Sequence, residues 1–199
     1  MIENKVDYEF YREQDRIMLG YKRKKPRLFT DEIWKFQILL RKLEYYSNCK
    51  NYMRLTKAFI NFKYHKISIK LGLSIPINVF GPGLSIAHWG GIIVNGKAKV
   101  GSNCRIQSGV VIGASYNSNN YPVIGNNCYI GAGAKIIGNV TLGDNVSIGA
   151  NAVVVKDCEN NVTLVGVPAR VVNRNGSDAY FAALKQNFMN INCNFKLNT

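Results

Sequence analysis

The stretch YPVIGNNCYIGAGAKIIGNVTLGDNVSIGANAVVVKD, residues 121–157, decides how this chain folds. Ile124, Ile130, Ile136, Leu142, Ile148 and Val154 fall at every sixth position, and glycine follows directly at Gly125, Gly131, Gly143 and Gly149. Four residues after the aliphatics stand small or β-branched residues: Cys128, Ala134, Val140, Val146 and Ala152. An amphipathic helix repeats at 3.6 residues and a half-buried strand at two, so a period of six fits neither. It fits short strands coiled so that one aliphatic per rung stacks into a continuous interior column, with rungs about 4.8 Å apart. The glycines are read as the tight corners that return the chain.

The register extends outward from this stretch. Upstream it takes in Val94, Val100, Ile106 and Ile112, with Gly101 and Gly113 following, and the small positions Ala98, Cys104 and Val110. It breaks once, at residues 114–123, where Ser118 occupies an aliphatic place in the polar segment ASYNSNNYPV. That segment reads as a loop expelled from the coil, and loops on rigid scaffolds often carry function. Before residue 73 the period changes to that of helices. In residues 29–46, FTDEIWKFQILLRKLEYY, Ile33, Phe36, Leu40 and Leu43 share a face, Thr30 is the candidate N-cap, Asp31 and Glu32 suit the first turn, and Arg41 and Lys42 come late. Residues 52–72, YMRLTKAFINFKYHKISIKLG, form a second helix ending at Gly72, with His65 in its basic tail as a surface or packing residue. The expected organisation is a basic α-helical region over 1–72, a parallel β-helix over 73–172 and a C-terminal extension over 173–199.

Composition narrows the classes. A hydrophobic content of 47% against 19% charged residues supports a packed core rather than a disordered chain. Neither a secretory leader nor a run of apolar residues long enough to span a membrane is read, so a cytoplasmic protein is expected. Cys49, Cys104, Cys128, Cys158 and Cys193 form no C-x-x-C pair, and only His65 and His88 could join them. Neither a disulfide framework nor a metal site is therefore expected. The chain carries 26 basic and 12 acidic residues, a net charge of +14, and YKRKKPR, residues 21–27, is the densest basic cluster. The cluster is either a solvated loop or a surface for an anionic partner such as lipid headgroups at the inner membrane face; no nucleic-acid-binding module accompanies it.

Three segments together, AHWGGIIVNGKAKVGSNCRIQSGVVIGA, residues 121–157 and LVGVPARVV, make the sequence resemble the hexapeptide-repeat acyltransferases. Within them it is similar to the serine acetyltransferase-like branch, of the polysaccharide or sugar O-acetyltransferase type. The resemblance implies a mainly β fold: a left-handed parallel β-helix with an N-terminal α-helical region. It also implies a homotrimer with active sites between subunits, and acetyl-CoA as co-substrate. His88 stands where the family has the general base that deprotonates an acceptor hydroxyl. That chemistry is sound, because an alcohol is a weak nucleophile at neutral pH while a thioester is already activated. By the same resemblance, Gly113, Ala114, Ala132, Ala150, Pro168 and Arg170 hold the coenzyme.

The departures bear on the acceptor. Ala87 stands where the serine enzymes have a carboxylate before the base, Leu73 where they have a second, and Tyr121 where they have a histidine. Trp89, Tyr121 and Asn120, with Asn117 and Asn119, suit a carbohydrate hydroxyl better than a zwitterion. The sequence alone therefore favours a sugar or glycan acceptor in surface-polysaccharide biosynthesis. L-serine is kept as the alternative acceptor, and a non-catalytic β-helix scaffold as the alternative outside enzymes.

Overall fold

The structure, a computed structural model, describes residues 1–50, 52–116 and 120–184. Three helices come first: α1 (Lys5–Met18), α2 (Glu32–Asn48) and α3 (Arg54–Leu71). The chain then winds through β1 (Leu73–Ser74), β2 (Ser85–Ile86), β3 (Ile92–Val94), β4 (Lys99–Val100), β5 (Arg105–Ile106), β6 (Val111–Gly113) and β7 (Val123–Ile124). It continues through β8 (Tyr129–Ile130), β9 (Lys135–Ile137), β10 (Thr141–Leu142), β11 (Ser147–Ile148), β12 (Val153–Val154), β13 (Thr163–Val165) and β14 (Arg170–Asn173). Strands pair with those one coil away, giving three sheets: β1-β3-β6-β9-β12, β4-β7-β10 and β2-β5-β8-β11-β13-β14. All named pairs are parallel except β13 with β14, which turns back to close the sheet. This is the parallel β-helix that the six-residue period calls for.

The interior is the column predicted from the repeat. Ile106, Ile112, Ile130, Ile136 and Ile148 are wholly buried, and so are Cys128, Ala134, Val146 and Ala152 between them. Burial raises the Cys104 and Cys128 thiols, Cys128 to about 12, which makes them inert packing groups. Cys193 lies outside the described residues.

The role expected of the repeat glycines is not the one they play. The left-handed corners on one edge are made by Asn103, Asn127, Asn145 and Asn161, with φ between 52° and 59°. Gly101, Gly125, Gly131 and Gly143 have ordinary φ values; they are glycine because no Cβ fits, whereas Gly113 has room for one. A Cβ on Gly101 would lie 2.8 Å from the Gly125 carbonyl, and one on Gly125 would lie 2.6 Å from that of Gly143. Each coil thus rests directly on the backbone of the next, while asparagine tolerates the turn.

The helices close the open end of the coil. The first turn has no preceding strand for part of its edge, so Gly83, Leu84 and Ile86 would leave backbone groups unpaired. Asp15 of α1 accepts from the Gly83 and Leu84 amides at 2.9 and 2.8 Å. Gln37 of α2 donates to the Leu84 carbonyl at 2.7 Å and accepts from the Ile86 amide at 3.3 Å. Arg41, wholly buried, donates to the Phe80 and Gly81 carbonyls at 2.9 and 2.7 Å and pairs with Asp15 and Glu44. Its late position in the helix suggests a cation complementing the dipole; it is instead the centre of a buried ion triad. Burial by itself lowers the Arg41 pKa, but Asp15 and Glu44 reverse that and raise it.

The N-cap of α2 is Asp31 rather than Thr30, and it makes no side-chain cap bond. Its carboxylate turns back to accept from the Arg27 amide at 2.5 Å and to pair with Arg23. Arg23 also lies 4.4 Å from the Tyr21 ring centre, and Tyr21 stacks on Trp34 at 4.6 Å. Part of the basic cluster is therefore built into the fold.

Candidate active site

His88 sits two residues beyond β2, at the edge where the chain passes from the third sheet to the first. The Ala87 amide donates to the Ile106 carbonyl at 2.9 Å, and the Gly90 amide to the Leu71 carbonyl at 2.8 Å, so both sides of the histidine are pinned. Gly90 and Gly91 both have positive φ, 104° and 64°, which explains the paired glycines after Trp89: two successive residues take conformations that L side chains rarely adopt. His88 is exposed, and among the described residues no side chain forms a hydrogen bond or ion pair with its imidazole.

The ladder register shows what lies along the same edge. Ser85, Arg105, Tyr129 and Ser147 are paired across successive coils. Three residues further on in each coil stand His88, Ser108, Ala132 and Ala150. His88 thus heads a track of small residues, of which Ala132 and Ala150 are exposed. At coil spacing they lie about 10 and 14 Å from the histidine's coil. Left-handed Gly109, Gly133 and Asn151 flank the track, with φ of 74°, 72° and 57°. Pro168, after a cis peptide bond, and Arg170 lie in the next coil, both exposed. The Ala169 amide there donates to the Val153 carbonyl at 2.8 Å.

The other site residues read from the sequence are not brought to this edge. Gly113 ends β6, and Gly113 pairs with Ile137 at the opposite edge of the first sheet, followed by Ala114. Asn120 and Tyr121 re-enter the coil on that same side, and Lys97 lies 5.0 Å from the Tyr121 ring centre. A three-residue strand with its corners separates the two edges by roughly 15 Å. The candidate residues therefore fall into two groups within one chain: His88, Trp89, Ala132 and Ala150 on one edge, and Gly113, Ala114, Asn120 and Tyr121 on the other. Asn117 and Asn119 lie outside the described residues.

Trp89, 63% exposed, lines a hollow of about 460 Å³ with Phe29, Thr30, Glu32, Lys70 and Leu71. Lys70 Nζ lies 3.8 Å from Glu32 Oε1. Sequence reasoning missed both charged groups, because Glu32 and Lys70 are thirty-eight residues apart and belong to different helices. Among the described residues, no group of three or more His, Cys, Asp or Glu side chains could hold a metal.

Comparison with known proteins gives this arrangement a relation. The family model described as bacterial transferase hexapeptide (six repeats) matches residues 121–156. Those residues are thus similar to a bacterial transferase hexapeptide repeat, and the chain is similar to serine acetyltransferases. The serine acetyltransferase of Synechococcus elongatus is 41% identical over 98 residues, 48% of this chain and 40% of its own length. That of Escherichia coli K12 is 33% identical over 143 residues, 70% of this chain and 52% of its own length. The crystal structure of the Brucella abortus enzyme superposes with a TM-score of 0.67 at 28% identity, covering 86% of this chain and 71% of that one. The chain spans about half the length of the curated relatives it matches. The shared fold is the left-handed parallel β-helix with an N-terminal helical region.

These comparisons overturn the sugar acceptor expected from the sequence, since the Synechococcus, Escherichia and Brucella relatives are all serine acetyltransferases. Tyr121 and Asn120 are at the far edge from His88, and Trp89 borders a carboxylate and an ammonium rather than a neutral lining. Nothing supports a place in polysaccharide biosynthesis.

Proposed function

We propose that this chain is an acetyl-CoA-dependent O-acetyltransferase acting on L-serine. The observation that carries the reading is the track on one edge of the coil: an exposed histidine at its head, then small residues that leave room for an extended coenzyme arm. His88 takes the proton from the serine hydroxyl as its oxygen attacks the thioester carbonyl. The carbon becomes tetrahedral, and backbone amides at the glycine corners are suited to its oxyanion. Collapse breaks the carbon–sulfur bond, and the departing coenzyme thiolate takes the proton back from the imidazolium. O-acetylserine and free coenzyme A result. Ala132 and Ala150 line the arm by being small, and Arg170 pairs with a coenzyme phosphate.

The serine reading is also supported by the charges beside Trp89, because Glu32 and Lys70 offer complements to the ammonium and carboxylate of an amino acid. The two groups lie on opposite edges, so a second copy is needed to bring Gly113, Ala114, Asn120 and Tyr121 against His88. A homotrimer, as the resemblance implies, would do this at each of its interfaces. The test is thiol release from acetyl-CoA with and without L-serine, with the assembly's mass measured by light scattering. His88→Ala should lower kcat by about 10²–10⁴-fold, the usual contribution of a general base, with little change in KM for acetyl-CoA. Equal turnover by wild type and His88→Ala, or none with serine, would sink the proposal.

A further inference from the structure

Helix α3 has a bare face that acyl transfer does not use. It buries Ile60, Ser68 and Leu71 and packs Tyr64 and Ile67 against the core. On the outside, Leu55, Phe59, Phe62 and Ile69 are exposed by 89, 58, 56 and 68%. Their steps of four, three and seven residues place them in one stripe along the helix, about 21 Å long. The helix also holds Arg54, Lys57, Lys63, Lys66 and Lys70, and no carboxylate. Lys63 Nζ lies 4.4 Å from the Phe59 ring centre and Lys66 Nζ 5.0 Å from that of Phe62, so the ammonium groups flank the aromatic stripe directly.

We propose that this face docks on an anionic lipid surface, with the Leu55–Phe59–Phe62–Ile69 stripe entering the headgroup boundary and the lysines meeting lipid phosphates. Charge decides the occupant. A second copy would set the same cations against one another, whereas an anionic bilayer neutralises them. Among the described residues no helix is long and apolar enough to cross a membrane, so α3 would lie in the interfacial plane rather than span. The inference stands apart from the acetyl-transfer reading and does not depend on it.

The test is sedimentation of the full chain with vesicles of phosphatidylcholine alone and of phosphatidylcholine containing about one third phosphatidylserine. Wild type should pellet with the anionic vesicles and not with the neutral ones. Lys63→Gln/Lys66→Gln should weaken anionic partitioning by about 30-fold, from the usual contribution of each lysine near such a surface. Phe59→Ser/Phe62→Ser should weaken it by about tenfold or more through lost apolar insertion. Unchanged thermal unfolding would show that both variants fold. Absence of anionic binding, or binding indifferent to both variants, would overturn the proposal. So would loss of a higher assembly in Phe59→Ser/Phe62→Ser without any vesicle binding, which would make the face a contact between copies.

Discussion

Replacing Arg41 with methionine tests how the helices hold the open end of the β-helix. The guanidinium is wholly buried and makes five hydrogen bonds: two to Asp15, one to Glu44, and one each to the Phe80 and Gly81 carbonyls. Methionine fills most of the volume, so the cavity contribution is small. What remains is two carboxylates, each 2% exposed, facing each other without their cation. Asp15 keeps the Gly83 and Leu84 amides, and Glu44 keeps the Asn78 amide at 2.8 Å, which offsets part of the loss. Breaking a buried ion pair from one side costs about 3–5 kcal/mol. Against a typical total of about 5–15 kcal/mol, that is a large fraction. Urea unfolding should show a lower midpoint with an unchanged slope. The triple variant Asp15→Asn/Arg41→Met/Glu44→Gln keeps an acceptor oxygen at both sites and removes every charge, so it should recover much of the deficit. An Arg41→Met variant within about 0.5 kcal/mol of wild type, or a triple variant no better than the single, would refute the reasoning.

Other outcomes follow from the same geometry. Gly125→Ala forces a Cβ to 2.6 Å from the Gly143 carbonyl and should cost about 1–3 kcal/mol or more, read from the thermal midpoint. Asn127, two residues on with φ of 52°, should lose about 1–2 kcal/mol on change to alanine and less on change to glycine, the reverse of the usual preference for alanine. At Asp31, burial raises the carboxyl, but the Arg27 amide and Arg23 outweigh it and hold it below its ordinary 3.8. Its stabilisation is therefore present above that value and is lost as pH falls below it; Asp31→Asn should flatten that part of the acid-unfolding curve.

The coil is written in the sequence. An aliphatic at every sixth position has one solution in which all of them share an interior, and the columns from Ile106 to Ile148 lie where that rule puts them. The same rule puts the small Ala132 and Ala150, eighteen residues apart, in equivalent positions, because in a solenoid a fixed period converts chain position into spatial position; His88, twenty residues before Ser108, joins them only through the pairing of β2 with β5. Whatever depends on elements of different period meeting was settled by packing instead. Arg41 reads as an ordinary late-helix cation until α1 brings Asp15 to it across twenty-six residues of sequence. The repeat glycines read as corners until the coil spacing shows that a Cβ has no room. Tyr121 and His88 read as parts of one site between subunits; that they lie on opposite edges of the first sheet within one chain is visible only in the fold. The α3 stripe is apolar enough in sequence to pass for core, and only the packing of its other face leaves it bare. In each case the deciding contact is long-range, and local sequence carries no record of which partner will arrive.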